Sequence, residues 1–429
     1  MTTTANWILD TWPPDDERTL RCPFEAFAAT RAHARVHRLP EPTPEGVPTF
    51  IVTGWAEAAN VLLRADTFVN DLSGIRPDFG DASLPWTDPD SPSFYNKLNV
   101  FFATGEDHKV KRSWALDLVE RNSLERYRPA IEAEVDRLID AFADDGRCDF
   151  RAQFTNIMPM MIVRRAMGMP DDADPKVKRM SAAIAVVDNN PSITEQQAIE
   201  LEESSTAMLK LATEVLRDRE RAPRPDDHVS NVIRMQVQRD GAMDVGALAQ
   251  HLVATLFGAD HAMGGHLAQA VAHLAADREL QRRVRADRSL VRQVVLEALR
   301  IDATVPWLFR ECTEDTTIAG VGVPGGSLVL VVTAAANRDS DEFPGPDVFD
   351  VDRDNLERNQ LTLGRGSHRC AGAALARVLA DVTINRMLDR FGEFGLDEDR
   401  SDLDPEPSFG FRIPKAVHLT FRRGSPCQG

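Results

Sequence analysis

No two of the five cysteines (Cys22, Cys148, Cys312, Cys370 and Cys427) form a CxxC pair, so neither a zinc ribbon nor a dithiol redox pair is encoded. An odd, scattered cysteine count fits a reducing compartment. No apolar run reaches the roughly 18 residues that a membrane helix needs. The opening MTTTANWILDTWPPDDERTL has neither a basic n-region nor a long apolar h-region, which predicts a cytoplasmic protein with no membrane attachment. No segment repeats, which sets aside solenoids and propellers. Positive charge is scarce as well: 50 Lys+Arg against 67 Asp+Glu leave a formal net charge of −17. That is the wrong sign for displacing counterions from a phosphate backbone, and a nucleic-acid partner is excluded.

What remains is a 429-residue chain, 43% apolar and 27% charged, with ample material for a folded globule without staples. Strand-like runs occur at 49–53, 328–332 and 417–421, and the pattern between them is mostly helical. The stretch from about Asp66 to Asp107 is rich in Pro, Asp, Ser and Gly, which predicts a long, functionally placed loop. Helical pattern from about Gln153 to Arg221 breaks near Pro170 and Pro191, and APRPDD at 222–227 breaks it again. Asp244 is placed to cap a helix running to about Ala276. This segment is apolar nearly all round and so belongs in the protein's interior. Gly258, Ala262 and Gly265 share one of its faces, either for close helix packing or to leave a groove for something flat.

The densest signal is LTLGRGSHRCAGAALAR, Leu361 to Arg377. Gly364 and Gly366 permit a tight turn, and the Ala/Leu-rich tail reads as a helix from about Cys370. Unpaired amides and the helix dipole at such an N-terminus favour thiolate over thiol, giving a soft metal ligand.

This stretch resembles the Cys-loop of soluble bacterial cytochromes P450, the haem-thiolate monooxygenases. The motif F-G-x-G-x-H-x-C-x-G is matched by Gly364, Gly366, His368, Cys370 and Gly372, with Leu363 in place of the usual Phe. The resemblance implies haem b (iron protoporphyrin IX) with Cys370 as the metal ligand, in one domain spanning 1–429 that is mainly α with a small β-rich lobe. Glu297 and Arg300 of LEALR match the family's ExxR pair, and with Arg353 they are expected to form a buried ionic cluster behind the cysteine loop. His108 and Arg112 in DHKVKR, Arg310 and His368 match the family's contacts to the haem carboxylates. Between Arg358 and Ala380, Arg358, Arg365, Arg369 and Arg377 occur without any Asp or Glu. With Lys109 and Lys111 they resemble the surface that receives electrons from a ferredoxin, itself served by a ferredoxin reductase.

The long helix departs from the family pattern. Gly258 matches the family glycine, Asp260 takes the acid position and His261 stands where an alcohol is usual, followed by Ala262. The alcohol normally holds the water that protonates dioxygen, so Asp260 and His261 are the candidate catalytic pair. His261 is expected to exchange the proton itself, to leave that task to a substrate hydroxyl, or to turn away onto a helix carbonyl or the substrate. Gly264 and Gly265 follow directly, where a helix bulge would open the groove.

By the same resemblance, Trp86, Phe94, Tyr95, Phe257, Val305, Trp307, Leu308 and Phe409 line the substrate pocket, implying a small hydrophobic or aromatic substrate. The implied reaction is hydroxylation. Aryl coupling, ring closure or peroxide-driven oxidation is the alternative raised by His261, and a non-catalytic haem protein that binds ligands is a further one.

Overall fold

The computed structural model describes residues 9, 19, 21–43, 46–73, 100–170, 173–189, 194–225, 227–405 and 410–423. Trp86, Phe94, Tyr95 and Phe409 from the expected pocket lie outside these residues, as does Pro191. Helices dominate and the strands gather into small sheets, the mainly α architecture with a β lobe that the sequence implies. No helix among the described residues is long and apolar enough to cross a membrane.

The central element is the helix Val245–Ala276, about 48 Å long at 1.5 Å per residue. The Asp244 carboxylate caps it by accepting the Ala247 N–H at 3.0 Å, satisfying one of the free amides of the first turn. Apolar residues all round this helix let it bury most of its surface among the helices Glu195–Arg221, Leu290–Asp302 and Met158–Ala166. Its middle is different. Thr255, Gly258, Asp260, His261 and Ala262 keep accessible surface in an otherwise buried run.

The helix continues unbroken through Gly264 and Gly265, so the bulge expected there is absent. Both glycines serve close approach instead. A Cβ on Gly264 would lie 2.4 Å from the carbonyl oxygen of Thr155, at the end of the π-helical turn Arg151–Thr155, and one on Gly265 would lie 2.7 Å from Ile413.

The β lobe is a five-stranded sheet ordered Val36–Arg38, Thr49–Val52, Ser327–Val331, Leu308–Cys312, Phe68–Val69. Thr49–Val52 runs parallel to Ser327–Val331, and Leu308–Cys312 pairs antiparallel on the other side. All four residues of Thr49–Val52 are buried, as suits a central strand covered on both faces. This sheet fixes Leu308, Phe309 and Arg310 at the edge of the functional site.

Candidate active site

Gly364 and Gly366 adopt φ of 69° and 72°, the left-handed region that glycine enters without a Cβ penalty. Gly366 also has no room for one, since a Cβ there would lie 2.7 Å from the Leu62 carbonyl oxygen. The turn is closed by the Gly364 N–H to Leu361 O at 2.8 Å and the Cys370 N–H to Leu363 O at 2.7 Å. The following helix begins at Ala373 with Gly372 as its N-cap, three residues later than expected, so Cys370 stands just before the helix. Burial pushes the Cys370 thiol up, while the N–H groups of Gly372 and Ala373 and the cations Arg369 and Arg112 work in the opposite direction. The residue is enclosed by protein and yet accessible, as a group lining an internal hollow would be. Leu363 packs with Leu296, Leu299 and Leu356.

Behind this loop, Arg300 donates Nε and Nη2 to the two Glu297 carboxylate oxygens, each at 2.7 Å. Arg353 adds Nε to Glu297 Oε1 at 3.1 Å, and the Asp350 N–H binds the same oxygen at 2.9 Å. The remaining guanidinium donors satisfy backbone carbonyls at Asn337, Pro346 and Val348 from Arg300, and at Pro344 and Gly345 from Arg353. The three residues meet as expected from sequence. Asn337, which sequence reasoning missed, carries the support forward. Its Oδ1 accepts the Leu361 N–H at 2.7 Å and its Nδ2 donates to Thr362 Oγ1 at 2.8 Å.

His108, Arg112, Arg310 and His368, distant in sequence, form one electropositive corner. The rings of His108 and His368 stack with centroids 3.7 Å apart. Burial, joined by Arg112 and Arg310 and at His368 also by His108, lowers their pKa values to about 4 and about 3. Asp107 opposes the effect at His108. The Arg310 guanidinium is buried, its pKa brought down to about 10 by desolvation, and its Nη1 donates to the Phe309 carbonyl at 2.6 Å. A buried cation of this kind calls for an anionic partner. Lys111 does not belong to an outer basic surface: it is buried and bonds Asp107 at 2.6 Å. Lys109 pairs with Glu106 at 2.9 Å and Arg377 with Glu357 at 3.0 Å, so of the basic residues expected on that surface Arg358, Arg365 and Arg369 have no carboxylate partner among the described residues.

On the central helix, Asp260 turns towards Ser181 and Lys178 of the helix Ala173–Asn189 and towards Arg151. Burial raises its pKa, and these groups together with His261 oppose the rise. Burial lowers the pKa of His261, opposed by Asp260. The His261 Nδ1 lies 3.4 Å from Asp260 Oδ2 without hydrogen-bond geometry. The ring rests instead between Phe257 at 6.2 Å and Phe411 at 5.6 Å. No bond to a helix carbonyl holds it among the described residues. Phe411 stands near the expected position of Phe409 and was not foreseen. Val305, Trp307, Leu308 and Phe309 are part-accessible. Phe309 stacks on Phe102 at 6.2 Å, and Phe101 covers Gly258. Neither phenylalanine carries a sequence motif that singles it out.

A thiol facing two amides, buried cations short of counter-charge, and a helix whose accessible middle is cleared by glycine and alanine suit a flat, doubly anionic group with a soft metal at its centre. His108, Arg112, Arg310 and His368 would meet its carboxylates and Cys370 its metal.

The Cytochrome P450 family model matches residues 266–420. The chain is 28% identical over 408 residues to the cytochrome P450 monooxygenase PikC of Streptomyces venezuelae, covering 94% of this chain and 92% of that protein. It is also 28% identical over 380 residues to the 6-deoxyerythronolide B hydroxylase of Saccharopolyspora erythraea, covering 87% and 91%. The solved structure of a cytochrome P450 from Chondromyces apiculatus superposes with a TM-score of 0.79 at 26% identity, covering 96% of this chain and 98% of that one. With relatives matched over nearly their whole length and a shared fold, the chain is similar throughout to bacterial cytochrome P450 enzymes, and its C-terminal part, residues 266–420, matches the Cytochrome P450 family model.

Proposed function

We propose that this protein is a single haem domain that holds haem b through the Cys370 thiolate and hydroxylates a small hydrophobic or aromatic molecule, with electrons from a ferredoxin and its reductase. The observation that carries the reading is the Cys370 environment: a thiol held by two backbone amides in a glycine-built turn, with Arg112 beside it. Bound haem supplies oxygen activation, and thiolate donation favours O–O cleavage.

The protein's own residues then have distinct tasks. The Glu297–Arg300–Arg353 cluster holds the loop that presents the sulfur. His108, Arg112, Arg310 and His368 neutralise the haem carboxylates. Phe257, Phe411, Val305, Trp307, Leu308 and Phe309 give the substrate an apolar wall and exclude water. His261 holds an exchangeable proton on its ring nitrogens, with Asp260, its pKa raised by burial, next to it on the helix. Arg358, Arg365 and Arg369 around the loop, on a chain of net charge −17, favour docking of an acidic electron donor there. A cytoplasmic setting agrees with such a donor.

Aryl coupling, ring closure or peroxide-driven oxidation is the second reading. It is favoured by His261, an imidazole rather than an alcohol, whose Nδ1 has no hydrogen-bond partner among the described residues and whose ring is set against aromatic rings.

The deciding experiment is the carbon monoxide difference spectrum of the reduced, haem-supplemented protein, with Cys370→Ala beside it. A thiolate-type Soret band in the parent that the variant loses is expected. A colourless parent, or the same pigment in both, overturns the reading. Product analysis after incubation with aromatic and terpenoid probes separates oxygen insertion from coupling.

A further inference from the structure

His266 lies one helical turn beyond Ala262 and is 4% exposed. Neither of its ring nitrogens has a hydrogen-bond partner among the described residues. Each polar atom left unmade in this way costs about 1–3 kcal/mol, and native structures fill such places with ordered water. Burial takes its pKa down to about 4 against the pull of Asp302. The ring is therefore neutral at pH 7, with one nitrogen bearing hydrogen and the other bare.

Its place on the helix gives this state a direction. At 3.6 residues per turn, Gly258, Ala262, His266, Gln269 and His273 fall on one stripe. The stripe begins where Gly258 and Ala262 are accessible in mid-helix. It ends at His273, whose Nε2 lies 2.7 Å from Asp302 Oδ2, with side-chain exposures of 30% and 27%. Gln269 is committed on both sides, donating to Arg412 O at 2.8 Å and accepting from Thr304 Oγ1 at 2.7 Å. His266 thus stands between a solvent-touching carboxylate and the mid-helix opening, roughly 6 Å along the axis from Ala262, with both polar atoms uncommitted.

We propose that His266 is a proton carrier that holds one ordered water on each ring nitrogen and passes protons from the Asp302 side to the hollow beside Ala262. The bare nitrogen accepts a proton from the Asp302-side water while the other nitrogen releases its own to the water on the hollow side. The ring ends neutral as the opposite tautomer, and a ring flip resets it. Solvent replenishes the proton through Asp302 and His273. The inference rests on the reading of the site as a haem centre that consumes protons, and it supplies a route where position 261 lacks an alcohol.

The test compares the haem-loaded parent with His266→Leu and His266→Gln. A crystal structure of the parent is expected to show water within hydrogen-bond distance of both ring nitrogens, and His266→Leu to lose both waters. Oxygen consumption driven by a plant-type ferredoxin and its reductase should fall by about tenfold in His266→Leu, below the roughly 10²-fold of a group that transfers the final proton. Its solvent deuterium effect should grow, and His266→Gln, whose carboxamide can hold water but has no basic nitrogen to pass a proton, should stay about as slow as His266→Leu; parental turnover in His266→Gln overturns the carrier role. The carbon monoxide spectrum should be the same in all three. A dry or protein-bonded His266 ring in the parent, or parental oxygen consumption and isotope effect in His266→Leu, overturns the carrier role. Should the leucine variant fail to fold, the parent's waters and His266→Gln decide. A parent without the thiolate spectrum overturns the haem reading itself, an outcome distinct from failure of the carrier alone.

Discussion

Arg300 clasps Glu297 through two hydrogen bonds of 2.7 Å, and neither side chain has any exposure to solvent. Removing one partner strands the other charge in the interior, a change worth about 3–5 kcal/mol. Arg300→Leu is accordingly expected to lower the denaturant midpoint and the haem content together, both measurable on one purified sample. A variant with parental stability would remove the pair from the support of the cysteine loop.

Arg310 should behave in the opposite way. Its buried guanidinium finds a neighbouring carbonyl, and burial alone accounts for its lowered pKa. Arg310→Leu is expected to leave the haem-free protein as stable or more stable, by on the order of 1 kcal/mol or above. It should also weaken haem retention. Denaturation of the apoprotein and haem transfer to apomyoglobin measure the two halves separately.

Two glycines with positive φ provide a matched comparison. At Gly241 a Cβ meets nothing within 4 Å, whereas at Gly366 it meets the Leu62 carbonyl at 2.7 Å. Gly241→Ala should cost only the backbone term of about 1 kcal/mol. Gly366→Ala should cost more and should also distort the cysteine loop, visible as reduced haem incorporation.

Acid should destabilise the fold through its buried histidines. Burial lowers the pKa of His251 and of His266, the latter to about 4. The unfolded chain, with histidine near 6.5, binds the extra protons first, so stability is lost as pH falls from about 6.5 towards 4. His266 accounts for up to about 3 kcal/mol of that loss. Urea midpoints at pH 7 and pH 5 should show the fall, and His266→Gln should flatten it.

His261→Ala is expected to retain haem and the thiolate spectrum, because the ring makes no hydrogen bond to the protein among the described residues, but to change oxygen or peroxide turnover. Unchanged product yield per electron pair would exclude His261 from proton handling.

The parts of the site that depend on residue type at fixed spacing were legible in sequence. The two glycines and Cys370 within seven residues stand out by themselves; the i, i+3 pair Glu297 and Arg300 and the basic residues His108, Arg112 and Arg310 would singly read as surface charges and are picked out by their order along the chain and the family resemblance. Asn337, Gln269, Thr304 and Phe411 carry neither signal. They are ordinary residues whose importance comes from contacts such as Gln269 with Arg412, 143 positions apart, which no local pattern encodes. Gly264 and Gly265 show a related ambiguity. A glycine in a helix marks either a weak point or a close approach, and only the neighbour, here the Thr155 carbonyl and Ile413, decides which. The acidic composition hid a further detail, since Lys111 reads as a surface charge until its burial against Asp107 is seen.

The parallel pairing of Thr49–Val52 with Ser327–Val331 has a consequence for biosynthesis. The two strands are about 280 residues apart, so at 5–20 residues per second the ribosome needs roughly 15–55 s to deliver the partner of the first. Throughout that interval a short, mostly apolar strand, paired by Val36–Arg38 on one side, waits with its other edge open, the condition under which nascent chains stick to one another. Yield in a heterologous host should therefore respond to holdase chaperones and slower growth temperature more than to haem supply.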